Sequence, residues 1–596
     1  MYQDKYYVPK ASGTYADVLM AYGLATLIDR IFQYAKGQWE TWRIEIADEG
    51  SHYTICLSEP LQQQWVEKCP FFESPAPWIE TRSQKQEGKA QPPALMPIRD
   101  VDATWEQVRQ YQQQRTYLWD QNIKGTELEQ QLRDLEPPAD WAVVAFVGDS
   151  RMQARGVYNR IVAQWTNGRA SFSRLLEAVL RHCSMPDRNV QEKLREWTAQ
   201  AREMGFKAQE TASQLLNPHQ GKGQNEPKAD TLRMDNVKDR PWWEEFLKAV
   251  GLWVCLAPRR VVDTNDWKAY VLAPLRLSYR AHQEAFRRFN RYLWNERRRD
   301  ETSLKTDITS LLLFARAWLD YVEGSSRDET DFDIDPLWAA PERAVTGFHV
   351  GQFKLLSRNA YTMVNLSFLG LPAWSGQPQS RVEVMRLKEV IDEHLEVIRG
   401  IDETRSDGFN LLCRYRDFVA GNKWEAFFDF AVGYSNEILR RYNARERWVP
   451  TFSPTKLRRL IVASNKPLLP IVQDEGFQNV AYAIRYSTVV PQSRKARGED
   501  SLYEVRYGLG AEFKRKATVR DEFVVALSSF MQSYNQENAQ QLENKRQQMR
   551  RDLRTTDIES VVRLIDEYGP EVVANLLIAF GYAREPREDL EPSKSE

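Results

Sequence analysis

Polar side chains that can bind nucleic acid are concentrated in the segment 217–230, NPHQGKGQNEPKAD. Side-chain amides offer a hydrogen-bond donor and an acceptor together, which suits base edges, and lysines suit phosphates. The glycines allow the backbone to approach a ligand closely. The segment is too poor in apolar groups to order itself without a partner. We predict contacts from Asn217, Gln220, Gly221, Lys222, Gly223, Gln224, Asn225 and Lys228. A solvated linker is the alternative, and the spacing excludes a phosphate-binding P-loop.

A second candidate is the basic segment 276–299, which contains eight arginines and two glutamates. Its apolar residues recur at helical spacing, so we predict a helix with Phe286, Phe289, Tyr292 and Leu293 facing inward. The predicted outward cations are Arg280, Arg287, Arg288 and Arg291. Such a run can be a merely solvated face, but an excess of one sign favours contact with a nucleic-acid backbone.

Two elements of mixed type open the chain and indicate that its first part is α/β. Residues 15–34 repeat apolar residues at helical spacing, and 42–46 with 52–57 alternate as a β-hairpin. We predict strands at 141–147, 252–256 and 267–272 and helices between 170 and 215. The segment 217–230 would then lie between structured elements, which favours a functional loop.

The acidic segment 323–342 is predicted to separate two domains. From about Arg343 onward, apolar residues repeat at helical spacing with short connections, which predicts a helical bundle. The expected fold is therefore α+β, with an α/β domain at 1–335 and a helical domain at 345–590. Within the latter, residues 466–583 are expected to form a self-sufficient bundle with Arg485, Lys514, Arg515 and Lys516 on its outside.

Composition restricts the classes of function. The net charge is −1, and the five cysteines are too scattered for a disulfide framework or a zinc site. We expect a cytoplasmic protein, because the first residues lack a signal-peptide core and no apolar run is long enough to span a membrane.

No recognisable catalytic motif occurs in the sequence. The six histidines form neither an HExxH motif nor a His-Asp pair, and no nucleophile elbow or dinucleotide fingerprint is present. Asp331, Asp333 and Asp335 alternate like calcium ligands, but the glycine and final glutamate of a calcium-binding loop are missing. We therefore predict a binding subunit with no catalytic residues, no metal and no cofactor.

The C-terminal part resembles a known family. The segments GFQNVAYAIR (476–485), STV (487–489), YEVRYGL (503–509) and KRK (514–516) resemble the large subunit of type I CRISPR effector complexes (Cascade), nearest to the I-B and myxobacterial-type branches. The segment around Gln220-Gly221-Lys222-Gly223 is also similar to that family.

This resemblance implies a non-catalytic subunit of an RNA-guided antiviral complex. Such a subunit contacts the 5′ end of the guide RNA, recognises the protospacer-adjacent motif (PAM) in duplex DNA and stabilises the R-loop. Its implied partners are guide RNA, target double-stranded DNA, the backbone, guide-end and small subunits, and a recruited helicase-nuclease or transposition adaptor. The pairing of guide RNA with the target strand is nearly equal in free energy to the DNA pairing that it replaces. Protein contacts must therefore favour opening of the DNA duplex.

Two other classes of function stay open. One is a metal-dependent nuclease that uses carboxylates in an unrecognised pattern, which incubation with DNA and magnesium would reveal. The other is a stand-alone RNA-binding or scaffold protein without a guide complex.

Overall fold

The computed structural model describes residues 2–37, 41–83, 91–123, 125–186, 190–210, 213–218, 240–295, 302–325, 341–357, 360–372, 378, 380–499, 503–545 and 550–585. Helices account for 63% of the residues and strands for 13%, and among the described residues every strand lies before residue 371. The predicted α+β class is confirmed. The chain forms two compact units, Met1–Glu301 with Glu342–Gly370, and Thr302–Pro341 with Leu371–Glu596.

The elements before residue 301 are, in chain order, β1 (Lys5–Pro9), α1 (Tyr15–Lys36), β2 (Ile44–Asp48), β3 (His52–Leu57), α2 (Gln63–Glu67), β4 (Trp78–Glu80), β5 (Ile98–Asp100), α3 (Val101–Asp120), α4 (Gly125–Leu132), α5 (Trp141–Gly148), α6 (Arg155–Ala163), α7 (Phe172–His182), α8 (Val190–Met204), α9 (Trp242–Cys255), β6 (Leu256–Arg260), β7 (Trp267–Pro274), β8 (Arg276–Ser278) and α10 (Tyr279–Asn295).

The later elements are α11 (Ser303–Ser325), α12 (Pro341–Ala344), β9 (Val345–Ser357), β10 (Ala360–Gly370), α13 (Arg381–Arg399), α14 (Ser406–Gly421), α15 (Trp424–Asn443), α16 (Pro454–Ser464), α17 (Leu469–Gln473), α18 (Glu475–Ser487), α19 (Val489–Ala496), α20 (Leu509–Lys516), α21 (Arg520–Lys545), α22 (Thr555–Tyr568) and α23 (Pro570–Gly581).

Two antiparallel four-stranded sheets build the first unit, in the orders β1-β3-β2-β8 and β10-β9-β7-β6. The strands β4 and β5 form a separate parallel pair. The predicted hairpin at 42–57 is β2–β3, and the predicted strand at 267–272 lies within β7. Because β8 leads directly into α10, the first sheet fixes where that helix begins.

Residues 345–370 differ from the predicted helical pattern and form the strands β9 and β10. Phe348, Val350 and Phe353 are buried on β9, and β9 pairs with β7 over most of its length. This pairing places both strands in the first unit, whereas α11 belongs to the second. The division is therefore not the single cut between 335 and 345 that the acidic segment predicted.

The predicted strand at 141–147 is wrong, because these residues lie in helix α5. All eight residues of α5 are buried, so its sequence WAVVAFVG shows no polar face from which a period could be read. A short, wholly apolar run cannot distinguish a buried strand from a buried helix. The predicted strand at 252–256 is displaced for the same reason, since α9 continues to Cys255 and β6 begins at Leu256.

Helices α1 and α9 pack backbone against backbone in the core of the first unit. A Cβ atom at Gly23 would collide with the carbonyl group of Leu247, and one at Gly251 would collide with that of Leu19. The close approach therefore requires glycine at both positions. It sets the position of α9, on which several groups discussed below lie.

The described part of the second unit contains only helices as regular elements, and α18 packs against α22 and α23. Helix α15 also packs against α19 and α23, although it precedes the predicted bundle at 466–583. Gln492 donates a hydrogen bond to the Asn443 side chain over 2.5 Å, and the Arg584 amide donates to the Phe452 carbonyl over 2.7 Å. The self-sufficiency of 466–583 stays a prediction. Nowhere in the described ranges is a helix both long and apolar enough to cross a membrane.

Candidate nucleic-acid interface

Helix α10 carries three of the predicted outward arginines along one face. Arg280, Arg287 and Arg291 are exposed, and Arg288 is half-buried. Arg287 and Arg291 follow Arg280 by seven and eleven residues, which correspond to about two and three turns of an α-helix. The side chains of Arg280, Arg287 and Arg291 therefore form one row. We call Arg280, Arg287 and Arg291 the arginine stripe. Its opposite face is apolar, with Phe286, Phe289 and Leu293 buried as the helical spacing predicted. Tyr292, also predicted to face inward, is only half-buried.

Buried polar contacts hold the N-terminal half of α10 in place. The hydroxyl of Tyr22 and Nδ1 of His282 lie 3.1 Å apart, and Nε2 of His282 lies 2.9 Å from the carbonyl oxygen of Val254. A neutral ring that donates from Nε2 and accepts at Nδ1 satisfies both contacts. Burial lowers the pKa of His282 to about 4, which favours this neutral form.

Ion pairs leave much of the stripe accessible to solvent. Nε of Arg280 lies 3.8 Å from Glu284, and the Arg280 side chain is 84% exposed. Nε of Arg291 lies 2.7 Å from Glu136, and the Arg291 side chain is 53% exposed. Exposed pairs of this kind contribute about 0–1 kcal/mol. A phosphate can therefore compete for these guanidinium groups at little cost.

Asn217, the first residue of the predicted binding loop, is a structural anchor. It is fully buried, its Nδ2 donates to Glu245 over 2.8 Å, and its Oδ1 accepts a hydrogen bond from Nζ of Lys248 over 2.6 Å. Lys248 also pairs with Glu245 at 2.7 Å. The amide is thus fully engaged with α9, and this position does not support the predicted contact between Asn217 and a base.

The remaining predicted contacts of this loop, from Gln220 to Lys228, lie outside the described residues. The residues on either side are well anchored. The Tyr15 hydroxyl donates to the carbonyl of Leu215 over 3.0 Å, and the Trp242 amide donates to the carbonyl of Ala208 over 3.1 Å. Arg297, Arg298 and Arg299 of the basic segment also lie outside the described residues.

In the second unit, Arg485 is not an outward cation as predicted. Its Nη2 donates to the carbonyl oxygen of Phe580 over 2.8 Å, within the last turn of α23. A guanidinium group there satisfies one of the carbonyls that have no partner within the helix. Burial lowers the pKa of Arg485. The contact between α18 and α23 therefore uses this charge structurally.

The three cations of 514–516 have different surroundings. Nζ of Lys514 lies 3.2 Å from both Asp429 and Asn575, and Nζ of Lys516 lies 2.7 Å from Glu522. Arg515 is exposed. The structure thus places only Arg515 of this group fully at the surface.

A cavity of about 250 Å³ lies beside the arginine stripe in the first unit. It is bounded by α3, by residues 133–141 and by the C-terminal half of α10. Arg287 and Arg291 of the stripe reach its wall, together with Arg133, Tyr111 and Trp294. Cationic and aromatic groups therefore meet at one concave site.

Of the residues that line this cavity, the sequence predicts only Arg287 and Arg291 as site residues, and not Tyr111, Arg133, Asn290 or Trp294. Asn290 and Trp294 could have been found from their spacing to Arg287 and Arg291, which places all four on adjoining parts of one helix surface. Tyr111 and Arg133 could not, because their position depends on how α3 and the following segment fold against α10.

No group of three His, Cys, Asp or Glu side chains that could hold a metal ion occurs among the residues that the structure describes. Comparison with known proteins matches the sequence to no protein-family model and to no curated protein.

Proposed function

We propose that this chain is the non-catalytic large subunit of a cytoplasmic, RNA-guided type I CRISPR surveillance complex. In this role it contacts the 5′ end of the guide RNA, recognises the PAM in duplex DNA and stabilises the R-loop. It recruits either a helicase-nuclease or a transposition adaptor. The C-terminal segments from Gly476 to Lys516 and the loop around Gly221 supply the family resemblance on which this proposal rests.

The observation that carries the nucleic-acid part of the proposal is the arginine stripe. Its three side chains are exposed on one face of a helix whose other face is held in the core. A rigid row of cations neutralises phosphates without reading sequence, which is what a displaced or paired strand requires. PAM recognition is proposed for the loop from Gln220 to Lys228, where amides and lysines alternate.

Reconstitution of the guide complex tests this proposal. The chain is co-expressed with the backbone and guide-end subunits and a guide RNA, and the complex is offered matched DNA duplexes whose flanking bases are randomised. We expect the bound pool to be enriched in a short flanking motif, and this enrichment to disappear when the chain is omitted. Bound DNA without flanking enrichment in the presence of the chain would contradict PAM recognition.

The two alternatives give different results in the same system. A metal-dependent nuclease would cleave DNA when the isolated chain is incubated with magnesium. A stand-alone RNA-binding or scaffold protein would bind RNA equally well without the other subunits and would not enter the guide complex. Intact DNA together with stable incorporation into the complex is the result expected of a binding subunit.

A further inference from the structure

We propose that the cavity beside α10 holds one unpaired nucleotide of a single-stranded nucleic acid, with its base inside and its phosphate at the arginines. This inference rests on the proposed role of α10 as a nucleic-acid surface. It adds a defined subsite to a stripe that otherwise makes only nonspecific contacts.

The size of the cavity suits one flat group. Its volume of about 250 Å³ is slightly below the range of roughly 300–1,000 Å³ that is typical of small-molecule pockets. A duplex cannot enter such a space, whereas one base turned out of a single strand can. Unstacking a base that has no pairing partner costs little free energy.

Aromatic side chains provide a surface for stacking. Tyr111 from α3 and Trp294 from α10 are half-buried at the cavity wall. Trp141, which also lines the cavity, packs against Trp294, since the two ring centroids lie 3.6 Å apart and Trp141 is only 3% exposed. Stacking on such rings accepts any base.

The charge at the cavity fits a phosphate group. Three arginines, Arg133, Arg287 and Arg291, and one carboxylate, Glu136, line it. Because Glu136 already pairs with Arg291, Arg133 and Arg287 supply the excess positive charge. Guanidinium groups bind phosphate through two parallel hydrogen bonds.

One polar group in the wall can read the base. Oδ1 of Asn290 is buried, and no described residue donates a hydrogen bond to it. A buried acceptor in this state is unfavourable until a donor reaches it. The exocyclic amine of a base stacked on Tyr111 or Trp294 is such a donor, and it would give the site a preference for amine-bearing bases.

A fluorescent base tests this inference with the full-length chain. The probe is a short oligothymidine strand that contains one 2-aminopurine, whose emission falls when the base stacks. We expect wild type to quench the emission. Tyr111→Ala and Asn290→Ala should each relieve the quenching and weaken binding of the probe roughly tenfold, consistent with the loss of a stacking or base-edge contact. Arg133→Glu should weaken binding as well.

Matched controls lie on α3 outside the cavity. Tyr117 is 59% exposed and does not line the cavity, so Tyr117→Ala should leave the quenching as in wild type. Arg109 is 64% exposed and also lies outside the cavity wall, so Arg109→Glu should weaken binding of the probe much less than Arg133→Glu. Quenching that survives in Tyr111→Ala, Asn290→Ala and Arg133→Glu, with all three folded, would overturn the inference.

Free adenosine monophosphate distinguishes the two possible sources of the nucleotide. Recovery of emission at millimolar concentration supports a pocket that also takes mononucleotides, and no recovery supports one that needs the strand.

The pocket and the proposed function can fail separately. If Tyr111→Ala, Asn290→Ala and Arg133→Glu abolish quenching while the reconstituted complex shows no flanking-base enrichment, the proposed function fails and the pocket stands. If enrichment occurs but quenching is unaffected by the variants, the pocket alone fails.

Discussion

The arginine stripe of the first unit and the C-terminal cations of the second have similar charge in the sequence but different surroundings in the structure. Arg280, Arg287 and Arg291 form an exposed row on a helix that is anchored from its other face. Arg485 is bonded to a helix end, and Lys514 is shared between Asp429 and Asn575. Cations in a basic segment therefore divide into those available to phosphate and those that maintain the fold, and sequence alone does not separate them.

The largest expected effect is on nucleic-acid affinity. Reversing the stripe with the triple variant Arg280→Glu, Arg287→Glu and Arg291→Glu should weaken binding to nonspecific DNA by roughly 10²- to 10³-fold at about 0.1 M salt, because three phosphate contacts are lost. Fluorescence anisotropy with a labelled duplex measures this.

A triple variant of equal charge provides the control. Arg169, Arg174 and Arg181 are exposed in the same unit. Their replacement by glutamate changes the net charge equally, so an equal loss of affinity would show that only overall charge matters.

The next effect is on stability of the second unit. Arg485→Met removes the hydrogen bond to Phe580 and should lower the free energy of unfolding by about 1.5–3 kcal/mol, as expected for a hydrogen bond to a charged group. Arg515→Met should change it by less than about 0.5 kcal/mol, because Arg515 is exposed. Urea unfolding followed by circular dichroism compares the two, and equal stability would show that Arg485 has no structural role.

A similar test applies to Asn217. Asn217→Ala leaves Glu245 and Lys248 buried with one partner fewer, and should lower the free energy of unfolding of the first unit by about 1–3 kcal/mol. Asn167→Ala, at an exposed position, is the control. DNA affinity of the folded Asn217 variant should be unchanged. A selective loss of affinity with normal stability would restore Asn217 as a direct contact.

The last effect is the dependence of stability on pH through His282. Its folded pKa of about 4 lies below the usual 6.5, so the unfolded state takes up a proton first as pH falls. The stabilising contribution is complete above pH 6.5 and is lost towards pH 4, by up to about 1.4 kcal/mol per pH unit. Unfolding of wild type and His282→Gln should therefore converge in this window, and a constant difference would exclude His282 as the cause.

The helix α10 and its apolar face could be predicted because a period of 3.6 persists over many residues. The strands β9 and β10 were missed because their stability comes from pairing with β7, which lies far away in sequence. The sequence of helix α5 predicts a strand because burial on all sides removes the pattern that distinguishes the two. At the candidate site, charge was visible in the sequence. The partners that decide how each charge is used, such as Phe580 for Arg485 and Glu136 for Arg291, depend on tertiary contacts.

The salt dependence of DNA binding tests most directly whether the stripe is the phosphate-binding surface. The slope of log K against log salt is measured for wild type and for two triple alanine variants, one at Arg280, Arg287 and Arg291 and the other at Lys514, Arg515 and Lys516. We expect the first variant to reduce the magnitude of the slope by about 2.7, which corresponds to three phosphate contacts, and the second by about 1 at most. A larger reduction for the second variant, or an unchanged slope for the first, would contradict this assignment.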